Sequence, residues 1–389
     1  MKASFLAGNR LTLLETGAEY FPALLAAIDA AKVEIRLESY IYADDDTGRA
    51  ITAALAAAAL RGVAVRLLVD GFGARGFLAT QGTNLMSANA QVQVYRPDVS
   101  TFRLRRHRLR RLHRKLSVID HRIAFVGGIN IIDDTDTPGQ SPRFDYAVVV
   151  EGPLLAPIHA AMRHLWQLVR WANFRRRLPE SASQFASPPI CGTIDAAFVA
   201  RDNLRHRRDI EEAYLEAIAA AKEEVILANA YFLPGRRFRH ALIDAAERGV
   251  RVIILLQGRM EYALLHYATQ ALYGNLIGSG IRIVEYRRGF LHAKVAVVDN
   301  QWATVGSSNI DPFSLLLARE ANLIVRDVGF AENLRSSLET SMIEGGVEVR
   351  REDLTRRPLL QRATSWLAYG IVRLAIGLAG YGAGREYGE

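Results

Sequence analysis

Apolar and polar positions follow two alternating rhythms along this chain. Residues 19–32 place Leu24, Leu25 and Ile28 at helical spacing, and residues 33–41 then read as a strand. The polar turn Asp44-Asp-Asp-Thr-Gly predicts the cap of an alanine-rich helix that closes at Arg61-Gly62. Residues 63–70 form an apolar run of buried-strand length, followed by a glycine-bearing loop at 71–76. That loop lacks the setting of a nucleotide-binding turn and predicts a plain strand-to-helix connection. After the midpoint the alternation returns. A helix is predicted over 214–222, a strand over 224–232, a helix over 240–248 and a strand over 250–257. Ala30-Ala-Lys reappears as Ala220-Ala-Lys, and Arg61-Gly-Val as Arg248-Gly-Val. Each half therefore predicts an α/β unit.

Between the halves, residues 153–171 read as an amphipathic helix, and 179–193 have the Ser, Pro and Ala content of a linker. The expected division is a first domain over 1–175, a linker over 176–200, a second domain over 201–355 and a tail over 356–389. The stripe Tyr262, Leu265, Tyr267, Leu272 and Tyr273 reads first as core, with an acyl-chain lining as the alternative. Residues 363–381 are apolar and long enough to span a bilayer. Arg373 sits near their middle at a cost of roughly 2.5–3.5 kcal/mol, and glycines between Gly370 and Gly384 weaken a straight helix. With Arg356, Arg357, Arg362 and Arg385 flanking it, this segment predicts an interfacial or re-entrant helix.

The repeat also carries the candidate chemistry. His113, Lys115 and Asp120 stand as His-x-Lys-x4-Asp, with Asn130 beyond them. His292, Lys294, Asp299 and Asn309 repeat the pattern, and both the histidines and the asparagines are 179 residues apart. Ordinary residue frequencies give roughly one such match per 10^4 positions, so two copies in register point to a duplicated catalytic half. His and Lys two apart on a strand share one face. Two such faces brought together supply two imidazoles, two ammonium groups and two carboxamides. That set suits phosphate: cations and amides hold the equatorial oxygens, one imidazole attacks phosphorus, and the other protonates the leaving oxygen. Asp145 and Glu320 follow their histidines by 32 and 28 residues. They are candidates either to orient the imidazoles or to form surface ion pairs.

Composition narrows the partners. A net charge of +8 and a pI near 9.7 favour an anionic partner, nucleic acid or acidic lipid. Arg103, Arg105, Arg106, Arg108, Arg110 and Arg111 run directly into the first motif, where guanidinium groups suit bidentate phosphate contact. The first half carries a net insertion of eight residues between Val63 and His113, and part of it is expected in this stretch, which has no counterpart before His292. Cys191 stands alone, which fits a reducing compartment. No cluster has metal-ligand spacing, so neither metal nor cofactor is expected. Residues 1–9 hold no apolar core of signal-peptide length.

On these motifs the chain resembles the phospholipase D superfamily, and within it the bacterial cardiolipin synthases of the B type. The narrower likeness rests on Leu-Glu-Ser-Tyr-Ile-Tyr from Leu37, Asp45 with Gly48, and Phe-Val-Gly-Gly-Ile-Asn from Phe125. Asp-Tyr-Ala-Val from Asp145, Glu-Gly-Pro from Glu151 and Val-Gly-Ser-Ser-Asn-Ile-Asp from Val305 extend it. The resemblance implies two mixed-sheet α/β domains related by a pseudo-twofold axis, with one active site at their interface. It also implies metal-free, ping-pong phosphatidyl transfer to a second phosphatidylglycerol or to glycerol. His113 would be the nucleophile, His292 the general acid and then base, with Glu320 orienting His113 and Asp145 orienting His292. Lys115, Lys294, Asn130 and Asn309 would hold phosphate, and Asp120 and Asp299 would brace the motifs. The expected partners are an anionic phospholipid and a membrane surface, with the protein peripheral on the cytoplasmic face of the cell membrane. The competing reading is a phosphodiesterase acting on phospholipid or nucleic acid. The basic run lacks the interleaved aromatics of a single-strand binder, and no nucleic-acid partner is expected.

Overall fold

The computed structural model describes residues 3–97, 111–134, 141–172, 188–202, 206–311 and 318–376. The first half contributes β1 (Leu6–Glu15), β2 (Glu34–Ser39), β3 (Ala64–Asp70), β4 (Gln91–Tyr95), β5 (Arg111–Leu112), β6 (Lys115–Ile119), β7 (Ile123–Gly127), β8 (Ser141–Phe144) and β9 (Tyr146–Glu151). The second contributes β10 (Ile194–Arg201), β11 (Glu224–Asn229), β12 (Arg251–Gln257), β13 (Arg282–Tyr286) and β14 (Gly289–Leu291). Then follow β15 (Lys294–Val298), β16 (Trp302–Gly306), β17 (Ala318–Arg326) and β18 (Gly346–Glu348).

One mixed sheet runs through both halves in the order β18-β13-β12-β11-β15-β16-β17-β10-β1-β9-β7-β6-β2-β3-β4. Apart from the edge strand β18, this order reads alike from either end about the antiparallel β1–β10 junction. In each half three parallel strands (β2, β3, β4 and β11, β12, β13) continue into an antiparallel set. The inner strands β11 and β12 are buried on both faces, which is why they read as apolar runs, Val-Ile-Leu-Ala and Val-Ile-Ile-Leu-Leu, without alternation. Helices Thr16–Asp29 and Asp46–Leu60 cover the first half; Asp209–Ala220 and Arg236–Glu247 cover the second. Asp45 caps Asp46–Leu60 by accepting from Gly48 N at 2.8 Å, as the polar turn predicts.

Between these outer cores lies a central one built from both halves. Leu116, Val126 and Ile158 pack there with Val295, Val305 and Leu334. The α/β class and mixed sheet match the sequence expectation. One boundary needs correcting. The expected linker over 176–200 includes most of β10, which pairs with both β1 and β17. Its larger apolar residues, Ile194, Phe198 and Val199, are interspersed with Asp195 and three alanines, so the strand does not stand out from the Ala-rich composition before it.

The tail is partly core as well. Helix Leu359–Ile376 packs along helix Ala263–Gly278, burying Ala368 and Val372 within the second half. Its other face is exposed at Leu360 (80%), Trp366 (61%) and Leu367 (65%). Among the described residues no helix is long and apolar enough to cross a membrane. The stripe in Ala263–Gly278 divides similarly: Leu272 and Tyr273 are core, whereas Tyr262 stands exposed before the helix.

Candidate active site

The two motifs are set in place by short strands that cross between halves. β5 pairs in parallel with β17, bringing Leu112 opposite Arg319, and His113 N donates to Arg319 O at 2.9 Å. β14 pairs in parallel with β8, bringing Leu291 opposite Phe144, and His292 N donates to Phe144 O at 2.8 Å. Each histidine therefore lies beside the residue that follows its pairing partner in the other half, and in both cases that residue is a carboxylate. His113 Nδ1 is 3.0 Å from the Glu320 carboxylate, and His292 Nδ1 is 2.6 Å from Asp145 Oδ2. Glu320 is fully buried and Asp145 nearly so, so neither belongs to a surface ion pair.

With each Nδ1 committed to a carboxylate, Nε2 is the ring nitrogen left for chemistry. The lysines lie on the same faces. Lys115 Nζ donates to His113 O at 2.8 Å, while Lys294 donates to His292 O and sits 3.5 Å from Asp145 Oδ2. Burial pushes the Lys115 ammonium down to about 7, and lowers Lys294 as well. Burial, with Lys294 next to it, takes the His292 imidazole down to about 3; burial also lowers His113. Burial works against ionising Asp145, but Lys294 and His292 more than offset it, and its carboxyl lies below the ordinary value. The resting site thus holds two neutral imidazoles backed by carboxylates.

Asp120 and Asp299, grouped by sequence with the catalytic residues, face away from this site. Each opens a hairpin turn whose two central residues have positive φ: Asp120 and His121, then Asp299 and Asn300. Asp120 accepts from the backbone N–H groups of Lys32, Val33 and Glu34 at 2.7–2.9 Å. Asp299 does the same for Lys222, Glu223 and Glu224 at 2.8–2.9 Å. Each Asp stands five positions beyond its Lys, with four strand residues between them, a rise of roughly 16 Å. They brace the far end of the strand pair.

Asn130 Oδ1 accepts from Ile41 N at 3.1 Å and lines a cleft of about 360 Å³ with Arg143, Asp145 and His292. Asn309 is buried at the matching position. Of the arginine run, only Arg111 falls among the described residues. It lies 3.9 Å from Asp70 and over the Phe72 ring at 5.5 Å. Arg103, Arg105, Arg106, Arg108 and Arg110 lie outside the described residues.

Three site neighbours escaped the sequence reading. The Tyr40 ring is 4.9 Å from the His113 ring and beneath Lys115. Ser307 donates its hydroxyl to Glu320 at 2.5 Å. At the equivalent place in the first half stands Gly128, where a Cβ would meet Asp145 Oδ1 at 2.3 Å. The difference between Gly-Gly-Ile-Asn and Gly-Ser-Ser-Asn was the available signal: the shorter Asp leaves no room for a side chain, while the longer Glu takes a hydroxyl partner.

A separate cluster, Glu34 with His121 and His159, places possible ligand atoms within 4.8 Å of one another. Its carboxylate is already held by Arg36 at 2.9 Å and by Arg66, two cations that oppose a third charge there. It therefore reads as an ion-pair network.

A paired His–Lys face, completed across a pseudo-twofold junction by buried carboxylates, defines an enzyme of the phospholipase D superfamily. Comparison with known proteins narrows this. The chain belongs to the family described as "Cardiolipin synthase, PLD-like domain", matched over residues 24–166 and 214–342. It is 40% identical to cardiolipin synthase B of Escherichia coli strain K12 over 384 residues, covering 98% of this chain and 92% of that one. Cardiolipin synthase A of Yersinia pestis is 30% identical over 368 residues, covering 93% and 75%. Among solved structures, the phosphatidylserine synthase of Haemophilus influenzae superposes with a TM-score of 0.72 at 15% identity, covering 97% of this chain and 96% of that one. That likeness shows the shared fold.

Proposed function

We propose that the protein is a phosphatidyltransferase that makes cardiolipin from two phosphatidylglycerol molecules, using one site shared between its halves. The crossed pairing of His113 with Glu320 and His292 with Asp145 carries this reading, because it leaves two opposed imidazoles ready for a double displacement. His292 takes up a proton from solvent as the anionic donor seats. His113 Nε2 then attacks the donor phosphorus, and the bond to the glycerol headgroup oxygen breaks as His292 gives that oxygen the proton. Neutral His292 then takes the proton from the acceptor hydroxyl, whose oxygen attacks phosphorus. The P–N bond breaks, and its electron pair returns to His113. Lys115, Lys294, Asn130 and Asn309 hold the non-bridging oxygens, and the added negative charge raises both imidazoles above their resting values. The comparisons support phosphatidyl transfer as the activity.

Donor lipid bearing a good leaving group should leave phosphatidyl on His113 in a His292→Ala protein. His113→Ala should trap none. Each substitution should reduce turnover by about 10^2–10^4-fold. Label on residue 292 in His113→Ala would reverse the two roles, and retention of turnover in either variant would overturn the shared site.

For access to lipid, the exposed apolar face of helix Leu359–Ile376 supports a peripheral membrane contact. We place that contact on the cytoplasmic leaflet, with the basic residues around the helix meeting anionic headgroups.

A further inference from the structure

The two halves of the site differ where their third strands end. β3 closes with Asp70, whose oxygens accept from the backbone N–H groups of Phe72 at 2.8 Å and Leu112 at 2.9 Å. β12 closes at the matching place with Gln257, which is 92% buried and whose amide nitrogen has no partner among the described residues. A buried donor left unmet favours any ligand that can accept from it.

Gln257 lines a cleft of about 380 Å³ together with Tyr231, Glu261, Tyr262, His266 and Thr269. This cleft adjoins the second motif: Ala230 in its wall donates its N–H to Ala293 O, between His292 and Lys294, at 3.0 Å. At its rim the Tyr231 hydroxyl donates to Glu261, and Arg143 stands 3.5 Å from the same carboxylate. Burial, with Glu261 alongside, pushes the Tyr231 phenol far up, so it remains a donor. Both halves also carry a phenyl ring between two guanidinium groups: Phe72 with Arg75 and Arg111, and Phe290 with Arg143 and Arg259. The carboxylate beside the first ring, Asp70, is buried and taken up by backbone; the carboxylate beside the second, Glu261, faces the cleft.

We propose that this cleft is the subsite for the acceptor's headgroup, selecting a vicinal polyol over a simple alcohol or water through Glu261, Tyr231 and the Gln257 amide. This deepens, and rests on, the transfer reading above. One hydroxyl of the polyol gives its proton to His292 and attacks phosphorus. The neighbouring hydroxyl donates to Glu261 and accepts from the Gln257 amide nitrogen, which fixes the first in line. A monohydric alcohol leaves both protein groups unmet.

The test is a competition in one tube. Detergent-dispersed phosphatidylglycerol is given deuterated glycerol and ethanol, and labelled phosphatidylglycerol, phosphatidylethanol and phosphatidic acid are counted by mass spectrometry. The parent should favour glycerol, and Glu261→Gln, Gln257→Leu and Tyr231→Phe should each cut the glycerol-to-ethanol ratio by about tenfold, the size of a hydrogen bond to a charged group. Because the ratio is internal, loss of folded protein does not alter it. A parent with no glycerol preference, or variants that keep the parent's ratio, would overturn the subsite and leave transfer standing. A parent that gives phosphatidic acid alone would overturn transfer and the subsite together.

Discussion

Asp145 reaches from the first half of the chain to within 2.6 Å of His292 Nδ1 in the second, 147 residues away. Glu320 returns the arrangement to His113. Asp145→Asn should leave the imidazole able to adopt the wrong tautomer, and turnover should fall by about 10^2–10^4-fold. Glu320→Gln should do the same. Steady-state rates, measured with circular dichroism as a folding check, decide this; a loss under fivefold in both would mean the carboxylates merely fill space.

The low value of Lys115 gives the site a pH response. In the empty site this ammonium loses its proton as pH rises through about 7. Seating an anionic phosphate favours the charged form, so donor binding takes up a proton. KM for phosphatidylglycerol should therefore rise with pH above about 7, by up to about tenfold per unit. A KM constant between pH 6 and 9 would show that the lysine stays charged throughout.

Asp120→Ala and Asp299→Ala should act on stability. Each removes a carboxylate from three backbone donors, at about 2–4 kcal/mol. For Asp299 burial acts upward, yet the three N–H groups hold the carboxyl below its ordinary value. Its contribution is then present above the ordinary carboxylate pKa and disappears as pH falls below it. Denaturant midpoints at two pH values test both statements. Loss of turnover with an unchanged midpoint would point to a chemical role instead.

The C-terminal helix calls for surface substitutions and not for truncation, since Ala368 and Val372 are part of the core. Trp366→Ser combined with Leu367→Ser should weaken binding to anionic vesicles at least tenfold, given about 1.5–3 kcal/mol per fully buried large side chain. Activity on detergent-dispersed lipid should persist. Cosedimentation equal to the parent's would move the membrane contact to another surface.

Much of this was legible in the sequence because repetition is a strong signal. The doubled motif, its register and the helix–strand alternation all survive in the fold. Asp120 belongs to the same motif as His113 and Lys115, but its odd spacing from Lys115 already turns it off their face toward a bracing role. The crossed roles of Asp145 and Glu320 followed only from the family resemblance, since sequence separation says nothing of which histidine each meets; the strand pairing supplies the physical reason. Tyr40 carries no spacing rule and became visible only once its ring lay beside His113, whereas Ser307 had left a signal in the difference between Gly-Gly-Ile-Asn and Gly-Ser-Ser-Asn. β10 was concealed by its alanines.

The cross-half pairing also bears on how this protein is born. Glu320 lies 207 residues after His113, so at about 5–20 residues per second the first motif waits roughly 10–40 s on the ribosome for its partner carboxylate. During that time a folded first half carries a His–Lys pair that cannot turn over lipid. Turnover is therefore expected only after the second half has been made and folded.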